Sequence, residues 1–534
     1  MSPTTHVDLD RRHVQTGVRV PFGNQIVSTV REIMSATAIP TASSVAEAAE
    51  RLQPEGRAFI NGEYVAAVSG ATFDCVSPID GSVIAQIAAC DSADVDIAVA
   101  GARAAFNSGE WSNASPARRK RVLQRFAALI LENADELALL ETIDMGKPIS
   151  DSRLIDVPGS AKCINFYAEA VDKISAEIAP TDPSAVAMVV REPLGVIGAV
   201  VPWNFPLMMA SWKLGPALAT GNSVVLKPAE QSSLTAIRIA QLAVDAGLPA
   251  GVLQVVPGMG ETAGQAIGMH MDVDMVAFTG STEVGKYFMQ YSGKSNLKRV
   301  SLECGGKTPH IILPDCPDLD KAASAVAWGI FFNQGEVCNA GSRLLVHEDI
   351  RDDFIARVAK VAAGIQPGDP LAAGTKMGAM VDETQTDRVL GYIEAGRSEG
   401  ASIALGGNRV MTESGGCYIE PTIFSNVDNS MKIAQEEIFG PVLSTITFKN
   451  VEEAVAIAND TIYGLAGALW TRDVSTAHKV ARQIKAGVVW VNCFDAGDIT
   501  TPFGGFKQSG FGRDKSLHAM EKYTDLKLIW LQLD

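Results

Sequence analysis

The stretch Phe331-Phe332-Asn333-Gln334-Gly335-Glu336-Val337-Cys338-Asn339-Ala340-Gly341-Ser342-Arg343 joins a predicted helix to a predicted strand. The apolar run that ends at Phe332 indicates the helix, and Leu344–Val346 indicates the strand. Cys338 occupies the turn between them. A thiolate is the strongest nucleophile among the side chains near neutral pH, and a loop between rigid elements can present it to a pocket. Cys338 is therefore either a nucleophile or one of eight cysteines that simply packs.

The length and charge of the chain bound its fold and its partners. At 534 residues the chain is too long for one hydrophobic core, so we expect two or three domains. Apolar residues make up 47% of the sequence and charged residues 20%, which is the balance of a globular protein. A net charge of -16 argues against nucleic acid and against an anionic membrane surface as partners.

The cysteines and the apolar stretches indicate a cytoplasmic protein. No two cysteines form a C-x-x-C pair and no Cys/His cluster has zinc spacing, so we expect a reducing compartment and no metal site. Pro193–Trp212 is apolar enough to suggest a membrane helix, but its three prolines remove helix hydrogen bonds. We predict a buried strand followed by a loop there. Arg11-Arg12 precedes no apolar segment, so no secretory signal is predicted.

Order is predicted to begin after an N-terminal extension. Residues 1–53 lack sustained periodicity and are expected to be mobile, with a short helix at Ala46–Leu52 and with Met34 as an alternative start. The Asn-Gly pair within Ala58–Val65 predicts a β-hairpin.

Beyond Pro193, short apolar runs alternate with helical segments, which predicts parallel sheets with crossover helices. The first set of predicted strands is Val196–Val201, Ser223–Leu226, Val252–Val256 and Met275–Phe278. The second set is His310–Leu313, Leu344–Val346, Gly467–Trp470 and Val488–Asn492. We therefore expect an α/β fold with two such domains.

Three segments after predicted strands carry groups that can bind a nucleotide. Gly280-Ser281-Thr282 opens a helix whose free N–H groups suit phosphate; the alternative is that Ser281 is a plain helix cap with no ligand. Gly258-Met259-Gly260 allows a close backbone approach, with a weaker signal. Lys227 and Glu230 follow a buried strand, where a glutamate can accept hydrogen bonds from ribose hydroxyls, unless the two form only a surface ion pair.

Two further polar residues are candidates for acid–base and oxyanion chemistry. Glu303 precedes Gly305-Gly306, and burial there raises the pKa of its carboxyl toward that of a general base; a capping or ion-paired role is the alternative. Asn204 lies in a loop between Pro202 and Pro206, where its amide N–H suits an oxyanion or merely stabilises a turn.

Taken together, the chain from about Phe59 to its end resembles the NAD(P)-dependent aldehyde dehydrogenase superfamily. Each motif is weak alone, but five in the family's order are specific. They are Pro202-Trp203-Asn204, Lys227-Pro228-Ala229-Glu230, Phe278-Thr279-Gly280-Ser281-Thr282, Leu302-Glu303-Cys304-Gly305-Gly306-Lys307 and Gly335-Glu336-Val337-Cys338. One departure is Cys304, where many members carry leucine.

The resemblance implies a role for each matching residue. Cys338 matches the nucleophile, Glu303 the base that activates the deacylating water, and Asn204 the oxyanion donor. The implied reaction oxidises an aldehyde to a carboxylate through a cysteine thiohemiacetal and thioester. The implied cofactor is NAD, favoured by Glu230, with NADP possible. The implied cofactor-binding residues are Trp203, Lys227, Glu230, Gly260, Gly280, Ser281, Glu437 and Phe439.

The family's anatomy also implies the domain boundaries. Residues 54–170 and 194–305 are expected to form a discontinuous Rossmann-type cofactor domain, and 306–516 the catalytic domain. Residues 171–193 and 517–534 are expected to form an oligomerisation arm. Its last strand, Lys527–Leu531, would add to a neighbour's sheet, which implies a homodimer or homotetramer.

Position within the family's motifs implies an apolar substrate tunnel with two carboxylates toward its outer end. Its expected lining is Phe205, Met209, Trp212, Phe332, Val337, Asn339, Phe494, Asp495, Asp498 and Phe503. Apolar walls suit an alkyl chain and carboxylates suit a distant amino group, although the two aspartates may be ordinary loop residues. No cationic anchor is expected in the tunnel, which disfavours succinic semialdehyde.

The run from Gly497 to His518 is particularly similar to the γ-glutamyl-γ-aminobutyraldehyde dehydrogenases of putrescine degradation. We therefore expect an amino or γ-glutamylamino aldehyde as the small-molecule substrate. Betaine aldehyde and broad aliphatic aldehydes are the alternatives within the family. A catalytically inactive structural or binding protein of the same fold is the alternative of another class.

Overall fold

The computed structural model describes residues 48–49 and 51–533 of the chain. The expected extension at 1–53 and the alternative start at Met34 fall almost wholly outside the described residues. The strands, in chain order, are β1 (Ala58–Ile60), β2 (Glu63–Val65), β3 (Thr72–Val76), β4 (Val83–Ala88), β5 (Glu177–Ala179), β6 (Ala185–Pro193), β7 (Val196–Val200), β8 (Ser223–Lys227), β9 (Leu253–Val255), β10 (Met275–Thr279), β11 (Arg299–Glu303), β12 (Pro309–Ile312), β13 (Arg343–His347), β14 (Ser402–Leu405), β15 (Arg409–Val410), β16 (Tyr418–Ile419), β17 (Thr422–Ser425), β18 (Val442–Phe448), β19 (Ala466–Trp470), β20 (Val488–Val491), β21 (Gly510–Phe511) and β22 (Thr524–Gln532).

Helices cover both sheets and supply the apolar faces that bury them. Their bounds are Ser92–Asn107, Pro116–Glu132, Ala134–Met145, Ile149–Asp151, Val157–Ala170, Pro206–Ala219, Leu234–Asp245, Gln265–Met269, Thr282–Lys294, Leu319–Phe331, Arg351–Ala362, Glu383–Ser398, Lys432–Gln435, Val451–Asn459, Val474–Gln483 and His518–Glu521. The apolar stretch Pro193–Trp212 proves to be strand β7, a short loop and the first half of a helix. Within the described residues, no helix has the length and apolar character needed to cross a membrane.

The first sheet has the strand order β2-β1-β9-β8-β7-β10-β11-β21. Strands β7 to β11 are parallel, and β7, β8 and β10 are buried along their whole length, as expected for a sheet with helices on both faces. The predicted hairpin is confirmed as β1 and β2, with Asn61 and Gly62 both at positive φ. The direction of strand order reverses between β7 and β10, and ligands bind at such a switch point.

The second sheet has the order β14-β17-β18-β13-β12-β19-β20 and is parallel except for β14. The four strands predicted here are confirmed to within one or two residues, and the α/β class with two such sheets is confirmed. Sequence analysis did not assign β14, β17 or β18. The Cys338 segment runs from the helix Leu319–Phe331 into β13, at the centre of this sheet.

The last strand pairs within its own chain: β22 is antiparallel to β6 from Thr524 to Gln532, and β6 pairs in turn with β5. All nine residues of β22 pair with β6 along one edge, and the other edge has no partner strand among the described residues, so addition to a neighbour's sheet stays a prediction. Strand β21, placed by the expected boundaries in the second domain, pairs with β11 of the first sheet.

A buried arginine fixes the start of the strand that leaves the cysteine loop. Arg343 has no exposed surface. Its guanidinium donates to the carbonyls of Lys307, Ile457 and Ala458 at 2.9–3.0 Å, and to the side chain of Asn429 at 3.0 Å. These bonds tie β13 to the segment before β12 and to the end of the helix Val451–Asn459.

Replacing this arginine should destabilise the fold. Arg343→Met leaves the carbonyls of Lys307, Ile457 and Ala458 without their charged donor, and each such loss costs roughly 1–3 kcal/mol. We expect the free energy of unfolding to fall by about 3 kcal/mol or more, measured by urea denaturation. Arg482→Met, at an exposed position, serves as the matched control and should change it by less than about 0.5 kcal/mol. Equal stability of the two variants would contradict the anchoring role.

Candidate active site

A cavity of about 500 Å³ lies between segments of both sheets. It brings together the three predicted catalytic residues, Asn204, Glu303 and Cys338. It also contains five predicted cofactor residues, namely Trp203, Gly280, Ser281, Glu437 and Phe439. Eight predicted tunnel residues line it as well, namely Phe205, Met209, Trp212, Phe332, Val337, Asn339, Asp495 and Phe503. Residues spread over some 300 positions of sequence therefore face one space.

The loop before Cys338 has an unusual backbone that its own side chains hold in place. Asn333 and Gln334 both have positive φ, at 47° and 56°. The Gln334 side chain accepts a hydrogen bond from the backbone N–H of Gly378 at 2.9 Å, and Glu336 accepts one from Val381 at 3.1 Å. Such left-handed residues cost of order 1–3 kcal/mol each and persist only where surrounding contacts enforce them.

Gly335 completes this turn because no other residue fits. Its φ is 75°, and a Cβ placed on it would lie 2.2 Å from the carbonyl oxygen of Gly440. Gly440 closely precedes β18, so the cysteine loop packs directly against the loop that carries Glu437 and Phe439. This contact sets the distance between the nucleophile candidate and one wall of the cavity.

Asn204 is connected to the cysteine loop by hydrogen bonds. Its side-chain N–H donates to the backbone carbonyl of Glu336 at 2.7 Å. The backbone carbonyl of Asn204 accepts from the side-chain amide of Asn333 at 3.1 Å. An amide NH₂ group has two donors, so one N–H of Asn204 remains available on the cavity side. The side chain is thereby oriented before any substrate arrives.

Burial and neighbouring carboxylates control the thiol. Burial raises the pKa of Cys338 above its ordinary value, and the negative charges of Glu437, Glu303 and Asp495 raise this pKa further. In the ligand-free protein, the sulfur is therefore held mainly as the thiol at neutral pH. A thiolate forms more readily when positive charge enters or a carboxylate is protonated.

Glu303 is a buried carboxyl with no fixed partner. It is 4% exposed, and neither carboxyl oxygen has a hydrogen-bond partner among the described residues. Burial raises its pKa well above the ordinary value, and the nearby Asp514 charge raises it further. Lys213 and Lys522 both pair with Asp514 and offset part of that effect. A carboxyl without a fixed partner is suited to exchanging a proton with water or substrate.

The residues at the switch point fit a bound dinucleotide. Ser281 caps the helix Thr282–Lys294 by accepting from the Val284 N–H at 3.2 Å, so N–H groups of this helix face the cavity end of β10. Glu437 accepts from the Gly306 N–H at 3.1 Å, and burial raises its pKa to about 7. The rings of Trp203 and Phe439 meet edge to face at 5.1 Å.

Three predicted cofactor residues lie outside this cavity. Lys227 and Glu230 follow the end of β8 and form an ion pair at 2.9 Å. Gly260 begins a helical turn with open space around its Cα. All three lie at the carboxyl end of the first sheet, beyond strands β8 and β9. That edge is where a nucleotide extending from the cavity would lie.

Two predicted tunnel residues do not line the cavity. Phe494 instead stacks on the buried imidazole of His310, with ring centroids 4.8 Å apart. Asp498 pairs with Lys162 at 2.6 Å at the protein surface. Neither residue therefore lies where the tunnel lining was expected, unlike Asp495 between them, which has a left-handed backbone (φ 53°) and lines the cavity.

Sequence reasoning also missed a cation in the tunnel. Lys515 lines the cavity, contrary to the expectation that it holds no cationic anchor, as do Gln385 and Arg388. Lys515 lies within the run from Gly497 to His518. Its left-handed backbone (φ 62°), which determines the course of the chain there, has no sequence signal because the residue is neither glycine nor asparagine.

The chain matches the family model described as "Aldehyde dehydrogenase family" over residues 64–529. The chain belongs to the aldehyde dehydrogenase family. One relative of this aldehyde dehydrogenase is the NADP/NAD-dependent aldehyde dehydrogenase PuuC of Escherichia coli (strain K12). The two are 53% identical over 480 residues, which covers 90% of this chain and 96% of the relative.

Solved structures agree with this assignment. The γ-glutamyl-γ-aminobutyraldehyde dehydrogenase from Burkholderia cenocepacia J2315 is 59% identical with a TM-score of 0.91. An indole-3-acetaldehyde dehydrogenase complexed with NAD+ is 58% identical with a TM-score of 0.92. Each comparison covers 93% of this chain and 100% of the other. This aldehyde dehydrogenase is an enzyme that uses a nicotinamide dinucleotide, so the alternative of an inactive structural protein is not supported.

The electrostatics of the cavity predict how the thiol responds to pH. Alkylation by iodoacetamide proceeds through the thiolate, so a raised pKa makes the reaction slow at pH 7–8. In the cofactor-free protein we expect the rate at Cys338 to keep rising about tenfold per pH unit through pH 9, without a plateau. The measurement follows the Cys338 peptide by mass spectrometry.

Two variants test whether the charge of Glu437 contributes to the raised pKa of Cys338. Glu437→Gln removes a negative charge that raises the thiol pKa and should accelerate alkylation at pH 8. Glu436→Gln, at the adjacent position where the carboxylate accepts from the Tyr392 hydroxyl, should not. A plateau below pH 8, or equal rates for both variants, would contradict the account.

Proposed function

We propose that the enzyme oxidises an amino or γ-glutamylamino aldehyde to the corresponding carboxylate, in polyamine breakdown such as putrescine degradation. The observation that carries the proposal is Asp495, a carboxylate that lines the same cavity as the cysteine and has no part in the proposed catalysis or cofactor binding. An apolar tube accepts the alkyl chain, and the carboxylate accepts a hydrogen bond from a nitrogen-bound proton. The resemblance to the Burkholderia enzyme, whose name gives γ-glutamyl-γ-aminobutyraldehyde, supports it.

The residues at the switch point are those that would hold the cofactor. Gly280 and Ser281 would face its phosphates, Glu437 and Phe439 its nicotinamide end, and Lys227 with Glu230 its adenosine ribose. NAD is favoured because the Glu230 carboxylate would repel a 2′-phosphate, with NADP as the alternative. The bound cofactor supplies the acceptor for the hydride that leaves the substrate carbon.

Cys338 begins the chemistry as a thiolate that adds to the aldehyde carbonyl. The resulting oxyanion accepts hydrogen bonds from the free N–H of Asn204 and from the backbone N–H of Cys338. Because Asn204 is already oriented by its bond to Glu336, this stabilisation needs little rearrangement. A thiohemiacetal on sulfur allows the carbon to be oxidised to a thioester, which water can then attack.

Glu303 completes the reaction by accepting a proton from that water. Its raised pKa makes it a better proton acceptor than an ordinary carboxylate, and its lack of a fixed hydrogen-bond partner leaves it free to approach the thioester. The thiol of Cys338 is then the leaving group, and the carboxylate product departs through the apolar tunnel. Glu303 and Cys338 therefore act in different steps.

An aryl aldehyde is a second candidate substrate. The rings of Phe205 and Phe332 stack with centroids 6.3 Å apart, and Trp212 meets Phe503 edge to face at 5.4 Å. These four rings form an aromatic wall that suits a planar substrate, and a structural relative is named for indole-3-acetaldehyde. The carboxylate of Asp495 favours the nitrogen-bearing aldehyde over an aryl or a plain aliphatic one.

We also propose a cytoplasmic homodimer or homotetramer. All eight cysteines are free thiols, which suits a reducing compartment. Strand β22 is an edge strand with apolar side chains at its surface, including Leu526, Leu528 and Trp530. Such an apolar edge is usually covered by a second copy in a protein that remains in solution.

The division of labour between sulfur and carboxylate can be tested. Cys338→Ala should lower aldehyde oxidation by at least about 1,000-fold while the affinity for NAD, measured by fluorescence titration, stays within about twofold. Glu303→Gln should still form NADH rapidly in the first turnover. Its steady-state rate should fall by about 100-fold, because only hydrolysis of the thioester needs the base. Loss of the first turnover in Glu303→Gln would contradict the assignment.

The substrate class has its own test. We expect kcat/KM for γ-glutamyl-γ-aminobutyraldehyde to exceed that for hexanal by at least about tenfold. The reason is that hexanal lacks the N–H that donates a hydrogen bond to the Asp495 carboxylate, and one such bond to a charged group accounts for about that factor. Asp495→Asn should reduce this ratio, whereas Asp498→Asn, which lies outside the cavity, should preserve it. A wild-type enzyme with equal values for both aldehydes would disprove the proposal.

A further inference from the structure

Lys515 is a charged group of the cavity that neither the proposed chemistry nor the cofactor uses. Its ammonium lies 5.7 Å from the centre of the Trp212 ring, above one of the aromatic walls. A Cβ placed on Gly497 would lie 3.4 Å from this nitrogen, so the ammonium rests against the loop that carries Asp495. The lysine therefore belongs to the same part of the tunnel as the carboxylate.

The nearby carboxylates are already engaged elsewhere. Asp495 accepts from the side-chain amide of Asn339 at 2.8 Å, and Asp498 pairs with Lys162 at 2.6 Å. Asp514 pairs with Lys213 and Lys522. In the described part of the chain, Lys515 makes no ion pair within 4 Å and its ammonium has no hydrogen-bond partner. The charges of Asp495 and Asp498 attract Lys515 through space, but neither carboxylate contacts its ammonium, so a ligand carboxylate would be its first direct ion-pair partner.

The backbone holds both charged residues in strained positions. Lys515 and Ser516 have φ of 62° and 51°, and Asp495 has φ of 53°. The strain at Ser516 is maintained by its N–H, which donates to the carbonyl of Ile499 at 2.6 Å, and by its own carbonyl, which accepts from the Tyr167 hydroxyl at 3.1 Å. Non-glycine residues in this region are uncommon and cluster at ligand sites.

We propose that Lys515 binds a carboxylate at the far end of the substrate, while Asp495 binds a nitrogen-bound proton nearer the aldehyde. The inference deepens the proposed function and rests on it. Asp495 accepts a hydrogen bond from Asn339, the residue after the nucleophile, which places it on the inner side of the pair. A free amino aldehyde satisfies only Asp495, and its ammonium is repelled by Lys515. A γ-glutamylamino aldehyde satisfies both, with its amide N–H on Asp495 and its α-carboxylate on Lys515.

The experiment compares three aldehydes in wild type and Lys515→Met. They are γ-glutamyl-γ-aminobutyraldehyde, the same molecule without its α-carboxylate (4-(4-aminobutyrylamino)butanal), and hexanal. Loss of one charge-assisted bond should lower kcat/KM for the first aldehyde by about 10- to 100-fold more than for hexanal. For the second aldehyde the variant should lower kcat/KM no more than for hexanal, or should raise it. Lys515→Arg keeps the cation and should recover most of the loss.

Controls and contrary outcomes separate this inference from the proposed function. Lys162→Met removes a surface lysine outside the cavity. The relative kcat/KM values for the three aldehydes should stay within about twofold of those of the wild type. If Lys515→Met lowers kcat/KM equally for all three aldehydes, or if Lys515→Arg recovers none of the lost kcat/KM, the carboxylate site is contradicted while the substrate class stands. If the wild type prefers neither nitrogen-bearing aldehyde over hexanal, the proposed substrate class itself fails.

Discussion

The hydrogen bonds that hold the loop before Cys338 are the constraint on which the active site depends. Gln334 and Glu336 point their side chains away from the cavity, into the backbone of the segment Gly378–Val381. That anchoring lets the carbonyl of Glu336 receive the amide of Asn204, which comes from the first sheet. The proposed nucleophile and the proposed oxyanion donor are thus fixed to each other, although one follows a strand of the first sheet and the other precedes a strand of the second. Other contacts, such as the pairing of β21 with β11, also join the two parts of the chain, but this hydrogen bond joins the cysteine loop to Asn204 directly.

The same cavity gathers more negative charge than a cysteine nucleophile would ordinarily tolerate. Glu303, Glu437 and Asp495 all disfavour the thiolate of Cys338. Burial, however, raises the pKa of Glu437 to about 7 and that of Glu303 well above its ordinary range, so both take up protons more readily than exposed carboxylates do. The carboxylates therefore disfavour the thiolate of Cys338. The same burial raises the pKa of Glu303, which suits the proton-accepting role proposed for it.

Sequence patterns located the strands and the main site residues because these follow local rules. Fully apolar runs such as Val196–Val200 and Met275–Thr279 have few alternatives to a buried parallel strand, and polar residues directly after them must meet at the switch point. The short strands β14 and β17 carry no comparable pattern, because their pairing depends on neighbours distant in sequence. The pairing partner of the last strand was also beyond reach, since an edge strand looks the same whether it joins its own chain or another.

The substrate tunnel shows where such reasoning stops. Phe494, Asp495 and Asp498 occur within five positions, and the motif resemblance assigned all of them to the tunnel as one block. Only Asp495 faces it, because its left-handed backbone turns the chain, sending Phe494 onto His310 and Asp498 toward Lys162. Lys515 enters the same space from a second left-handed turn some twenty positions later. Two backbone reversals at non-glycine residues thus place Asp495 and Lys515 in the cavity, and no side-chain pattern in the sequence indicates such reversals.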